Sequence, residues 1–162
     1  MKTAHLRTVL IILTLGLSGC QQHEKPAPPK LDTAQSHTVE KETTIVVPDS
    51  VKGKWKAVRI AVVNKTTAKV KIYTIPIGGK ITLPGSDMTI AVESFLPSFI
   101  MEGSTLTSVN NEMNNPGAKV RITEGETVIF KGWLFSRYPT THAFMHPKYG
   151  FTLTDAVPAN HH

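Results

Sequence analysis

The stretch "AKVRITEGETVIF", residues 118–130, decides the fold class of this 162-residue chain. Apolar and polar residues alternate in its first part, 118–122, and β-branched and aromatic residues fill its end, 127–130. Alternation indicates a strand with one buried face, and the Glu124-Gly125 pair between the two runs indicates a tight turn. The stretch therefore predicts a β-hairpin.

The sequence on both sides of this hairpin repeats the pattern of short strands and turns. Pro97 interrupts it, because proline cannot donate to a strand ladder, and residues 99–108 then predict one continued strand. At most one helical turn is predicted, between residues 140 and 145. Further strands are predicted at 57–63, 70–75, 81–83, 88–92 and 151–154. We therefore expect an all-β domain over residues 51–159, a small antiparallel β-sandwich or barrel of roughly 7–9 strands, followed by a tail at 160–162.

The first residues of the chain predict export. Lys2 and Arg7 accompany the apolar run "VLIILTLGL", which is shorter than the about 20 apolar residues that a membrane-spanning helix needs. The run ends in "LSGC", residues 17–20, which is similar to a bacterial lipobox. The resemblance implies a lipoprotein signal peptide at residues 1–19, cleavage before Cys20, and attachment of acyl chains such as palmitate to Cys20. The alternative is an ordinary signal peptide with a chance cysteine.

Cys20 is the only cysteine of the chain. A mature domain without a thiol excludes disulfides, cysteine-based zinc sites, cysteine nucleophiles and covalent c-type haem. Residues 20–50 are polar and contain several prolines, so they predict a flexible tether behind the lipidated cysteine. We expect the protein in the cell envelope, lipid-anchored and facing the periplasm. Gln21, where enteric lipoproteins retained in the inner membrane carry aspartate, favours the outer membrane.

Charge is unevenly distributed between the tether and the predicted domain. From Val51 onward, thirteen Lys and Arg accompany seven Asp and Glu, a net charge of +6, whereas residues 21–50 carry −2. A basic periplasmic domain suits anionic headgroups, lipopolysaccharide phosphates, peptidoglycan carboxylates or an acidic protein. The alternative is that the scattered lysines only solvate the outer faces of strands. A nucleic-acid partner is not expected outside the cytoplasm.

No catalytic motif is present in the sequence. It contains no G-x-S-x-G elbow, no H-E-x-x-H and no complete phosphate-binding loop. We therefore expect a protein that is not an enzyme.

The stretch "GWLFSRYPTTHAFMHPKYG", residues 132–150, carries the candidate functional residues. His142, Met145 and His146 combine imidazole and thioether groups, a ligand set that favours copper. Pro147 opposes a helical arrangement of the three, since it biases His146 towards extended geometry. The alternative role for His146 is a ring that hydrogen-bonds backbone groups and fixes a buried loop.

Parts of this stretch resemble a known family. "GWLF" at 132–135, Pro139, Ala143 and "HPKY" at 146–149 are similar to the signature G-W-[LM]-F…P…A…H-P-x-Y of a proteobacterial family of exported and lipoprotein domains of unknown function. The resemblance covers about residues 46–159 and implies no mechanism. His142 and Met145 fall where the signature allows other residues. The candidate structural or binding loop consists of Trp133, Phe135, Tyr138, His146, Pro147 and Tyr149.

Two functions follow as hypotheses. The first is a lipid-anchored envelope protein whose non-catalytic β-domain binds a protein or an envelope polymer and needs no cofactor. The second is a periplasmic copper-binding protein that uses His142, Met145 and His146. Trp133 and Phe135 are expected in the core, with Leu134 on the opposite face, and the His146 loop is expected to close the domain over them.

Overall fold

The computed structural model of the protein describes residues 43–141 and 144–159, and these residues form ten β-strands without a helix. No helix in this part is long and apolar enough to cross a membrane. The predicted signal peptide, Cys20, His142 and the tail lie outside the described residues. The strands are β1 (Thr44–Ile45), β2 (Trp55–Asn64), β3 (Lys69–Pro76), β4 (Lys80–Thr82), β5 (Met88–Leu96), β6 (Phe99–Glu102), β7 (Thr105–Ser108), β8 (Gly117–Glu124), β9 (Thr127–Phe135) and β10 (Tyr149–Pro158).

Two antiparallel sheets form the body of the domain. One has the strand order β10-β2-β3 and the other β4-β5-β8-β9, and their buried faces share one hydrophobic core. A third, smaller sheet has the order β1-β7-β6, in which β1 runs parallel to β7. The predicted antiparallel β-sandwich is confirmed, and the strands form separate sheets with free edges instead of one closed barrel.

The core follows from the alternation in the sequence. Val58, Ile60 and Val62 alternate along β2, and each is at most 5% exposed, while the residues between them face outward. Ile90 of β5 pairs with Ile122 of β8, and both are fully buried against that β2 row. Each such side chain stabilises the fold by about 1.5–3 kcal/mol relative to an exposed one.

The prediction of one continued strand over residues 99–108 was wrong. The structure has a hairpin there, in which Phe99 of β6 lies opposite Ser108 of β7. Gly103 makes the turn with φ of 60°, a conformation in which a side chain is strained. Together with the short β1, which was not predicted, this hairpin brings the number of strands to ten, above the predicted range.

The described part of the chain begins within the predicted tether. β1 lies before Val51, the expected start of the domain, and is tied to β7 by backbone hydrogen bonds. The N–H of Thr44 donates to the carbonyl of Ser104, and the N–H of Val46 donates to the carbonyl of Leu106; each N···O distance is 2.9 Å. The folded domain therefore begins at or before Thr44, earlier than the expected start at Val51.

Candidate binding site: an aromatic groove beside strand β9

Strand β9 presents different side chains to the two faces of its sheet. Leu134 is 4% exposed and belongs to the main core. Trp133 and Phe135, one residue to either side, point to the opposite face, as strand alternation requires. The expected opposition of Leu134 to the two aromatic residues is thus correct, and Phe135, which is 8% exposed, is buried as expected. Trp133 is only partly buried, and neither ring belongs to the main core cluster.

Trp133 and Phe135 build a second aromatic cluster together with Phe99 of β6. The Phe99 ring contacts both in edge-to-face geometry, with centroid distances of 4.9 Å to Trp133 and 5.0 Å to Phe135. Edge-to-face pairs of this kind add about 0.5–1.5 kcal/mol to the burial of the rings. The cluster therefore fastens the small sheet onto the outer face of the large one.

Gly117 of β8 makes room for this cluster. It lies opposite Phe135 in the β8–β9 ladder. A Cβ atom on Gly117 would lie 2.9 Å from Cε1 of Phe135 and 3.3 Å from Cε3 of Trp133. The two rings consequently lie across a bare stretch of backbone, which a side chain at this position would not permit.

A groove of about 490 Å³ runs beside these rings. Its walls are mainly apolar and include Phe99, Met101 and Leu106 of the small sheet together with Trp133 and Phe135 of β9. Met101 is 57% exposed although it is a large apolar residue. The volume lies in the range of about 300–1,000 Å³ that is usual for ligand sites.

The backbone of β9 next to the groove is open to a partner. Ser136 donates its N–H to the carbonyl of Pro116, which continues the β8–β9 register. Hydrogen-bonded and non-hydrogen-bonded pairs alternate in an antiparallel ladder. The N–H and C=O groups of Lys131, Trp133 and Phe135 therefore point away from β8. None of them makes a backbone hydrogen bond to another residue in the described ranges.

His146 lies on the other side of this sheet, in a loop held against the main core. Its ring is 8% exposed and is stacked on Tyr149 at 5.6 Å, with Phe144 at 5.9 Å. Its Nδ1 accepts the N–H groups of Lys148 and Tyr149, each at 3.2 Å. The backbone carbonyl of His146 accepts a hydrogen bond from Nζ of Lys65 at 2.8 Å. Side chain and backbone of His146 thus both fix the loop.

The sequence predicted that the loop of His146 closes over Trp133 and Phe135. This prediction was wrong. Phe144 of this loop stacks on Phe130, with a centroid distance of 4.8 Å. Phe130 and Leu134 lie on the inner face of β9, whereas Trp133 and Phe135 lie on the outer face. Phe130 also lines the groove, so it borders both aromatic clusters.

The structure does not bring the predicted copper ligands into a described cluster. Met145 is 80% exposed, and His142 lies outside the described residues. No group of three or more His, Cys, Asp or Glu that could hold a metal occurs among residues 43–141 and 144–159. Tyr138 and Pro147 of the candidate loop are exposed and line neither aromatic cluster.

Sequence reasoning missed Phe99, Met101 and Gly117 as parts of the site. The turn at Gly103 was the signal that could have separated β6 from β7. No local pattern, however, indicates that Phe99 packs on residues more than thirty positions away.

The fold and the site define a β-sandwich domain with an aromatic groove at a free sheet edge. The chain belongs to a family of uncharacterized proteins conserved in bacteria (DUF2155), whose model matches residues 58–156. The expected membership in a bacterial family of unknown function is thereby confirmed. Neither the curated proteins nor the solved structures contain a match to this chain.

Proposed function

We propose that this protein is a lipid-anchored, periplasm-facing envelope protein whose non-catalytic β-domain binds an extended segment of another protein. The observation that carries the proposal is the position of the aromatic groove directly beside the open edge of β9. The anchor rests on the lipobox-like "LSGC" at residues 17–20.

An extended segment suits both parts of this site. Its backbone would add to the sheet through the outward N–H and C=O groups of Lys131, Trp133 and Phe135, a common mode of peptide recognition. Every second side chain of the segment would then face the groove, because side chains alternate between the two faces of a sheet. The side chains of Trp133 and Phe135 follow the same period, so the two strands would match.

The lining of the groove indicates the chemistry of the bound segment. Among the described residues that line the groove, one is charged, Lys131, and the others are mainly apolar or aromatic. Half-buried tryptophan and exposed methionine are typical of binding sites that take apolar side chains. A segment with apolar or aromatic residues at alternate positions therefore fits better than an anionic envelope polymer, which would need more than one cation.

Site-specific photo-crosslinking tests this proposal in native membranes. A photoreactive phenylalanine analogue is introduced at Met101, inside the groove, or at Val109, which is 62% exposed and does not line it. We expect a discrete crosslinked protein from position 101 and none from position 109. Trp133→Leu should weaken this crosslink by about tenfold or more, as loss of a central aromatic contact usually does.

The outcome against the proposal is equally definite. Equal crosslinking at both positions, or a Met101 crosslink that survives Trp133→Leu, would mean that the groove is not the docking site. Thermal unfolding of the Trp133→Leu chain serves as the folding control, since leucine keeps an apolar side chain against Phe99.

Copper binding is the second candidate function, and the exposed thioether of Met145 beside His146 is the observation that favours it. Against it, Nδ1 of His146 is already occupied by two backbone N–H groups. We expect titration of the full chain with Cu(I) and Cu(II) to give no stoichiometric binding after His161 and His162 are changed to alanine. Tight binding that is lost in both His142→Ala and Met145→Leu would instead establish the copper function.

A further inference from the structure

The outer edge of β3 carries a second set of unpaired backbone groups, in a different sheet from β9. Ile77 donates its N–H to the carbonyl of Lys56 at 3.1 Å, which continues the β2–β3 register by one pair. By the alternation of an antiparallel ladder, Val70, Ile72 and Thr74 therefore turn their N–H and C=O groups away from β2. Within the described part of the chain, none of these three residues makes a hydrogen bond on that side.

One face of this edge is apolar and exposed. Val70 is 61% and Ile72 57% exposed, although β-branched aliphatic residues are usually buried. In the register of the sheet they lie beside Val63 and Ala61 of β2. The result is a flat aliphatic strip on the outer face of the β10-β2-β3 sheet.

The other face of the same edge is positively charged. Lys69 and Lys71 are exposed, and no carboxylate of the described residues lies within 4.0 Å of either ammonium group. The Nζ of Lys71 lies 5.2 Å from the centre of the Tyr73 ring. Both lysines line a cleft of about 270 Å³ together with Tyr73 and Tyr149.

We infer that the β3 edge binds an extended segment of a partner protein in which acidic residues alternate with aliphatic ones. The segment adds as a strand through the outward groups of Val70, Ile72 and Thr74. Its aliphatic side chains lie beside Val70 and Ile72, and its carboxylates lie beside Lys69 and Lys71. The alternation of aliphatic and basic side chains along β3 thus requires an alternation of aliphatic and acidic side chains along the partner segment.

The lysines of the β3 edge also disfavour pairing with a second copy of the same strand. Two copies of β3 paired with Val70 opposite Val70, or opposite Ile72, bring lysine next to lysine, and like charges across a ladder are destabilising. Lysines on an edge strand are a common protection against such self-pairing. The chain's own residues 31–42 do not fit either, because Glu40 and Glu42 flank Lys41 and not an aliphatic residue.

Binding of a designed peptide tests the inference. The probe is a fluorescent Thr-Glu-Val-Glu-Val-Glu-Thr peptide, followed by anisotropy with the full chain purified in detergent. A Thr-Lys-Val-Lys-Val-Lys-Thr peptide is the matched control and should not bind. We expect the double variant Lys69→Glu/Lys71→Glu to raise the dissociation constant at least about tenfold, and Lys80→Glu on β4 to leave it unchanged.

A proline variant separates strand addition from simple charge attraction. The N–H of Ile72 points away from β2, so Ile72→Pro removes no internal hydrogen bond and suits an edge position. It should nevertheless abolish peptide binding, whereas Ile72→Thr, which keeps the N–H, should retain it. Binding that is unaffected by Ile72→Pro, or the absence of saturable binding, overturns the inference. Neither result bears on the groove beside β9.

Discussion

Replacement of His146 by alanine should lower the free energy of unfolding by about 2–4 kcal/mol. The change leaves the N–H groups of Lys148 and Tyr149 without the Nδ1 acceptor that both now share. An amide left unpaired in a partly buried loop costs about 1–3 kcal/mol. The change also removes a buried ring that packs on Phe144 and Tyr149.

Urea unfolding of the full chain, followed by tryptophan fluorescence, measures this loss. Met145→Ala is the matched control one residue away, and because Met145 is 80% exposed it should change the stability by no more than about 0.5 kcal/mol. An unfolding midpoint for His146→Ala equal to that of the unchanged protein would show that the loop does not depend on this ring.

Loss of the anchor should have the largest effect on where the protein is found. In cells, Cys20→Ala should move the protein almost completely from membranes to the soluble envelope fraction, because stable attachment of the kind we propose needs more than one acyl chain.

A second variant guards this experiment against retained precursor. In it, a cleavable secretory signal without a lipobox replaces residues 1–20, and the product should again be soluble. Mass spectrometry of the N-terminal peptide of the unchanged protein should show the added acyl mass on Cys20. Membrane attachment that persists in the variant with the replaced signal would refute the lipid anchor.

The β-sandwich could be predicted because its strands have local sequence patterns that are typical of β-strands. Residues 118–122 and the β2 stretch from Val58 to Val62 alternate between polar and apolar side chains, or run as β-branched residues, and each pattern specifies a strand without reference to the rest of the chain. Alternation also correctly predicted that the side chains of Leu134 and Trp133 lie on opposite faces of the sheet.

The groove could not be predicted, because its walls come from segments that are distant in sequence. Whether Trp133 faces the core or the small sheet depends on which face of the large sheet Phe99 covers, and that is a property of the packed structure. The bare backbone at Gly117 has the same origin, since its need for glycine arises only once Phe135 lies across it.

The small sheet has a mechanical consequence. A pull on the chain from its N-terminal side enters the described domain through β1 and passes to β7 through the bonds at Thr44 and Val46. Because β1 and β7 are parallel, their bonds are evenly spaced and slanted, and a pull along β1 loads them together in shear. The load then reaches Phe99 on β6 and its contacts with Trp133 and Phe135. A taut chain therefore strains the aromatic groove before it strains the main core.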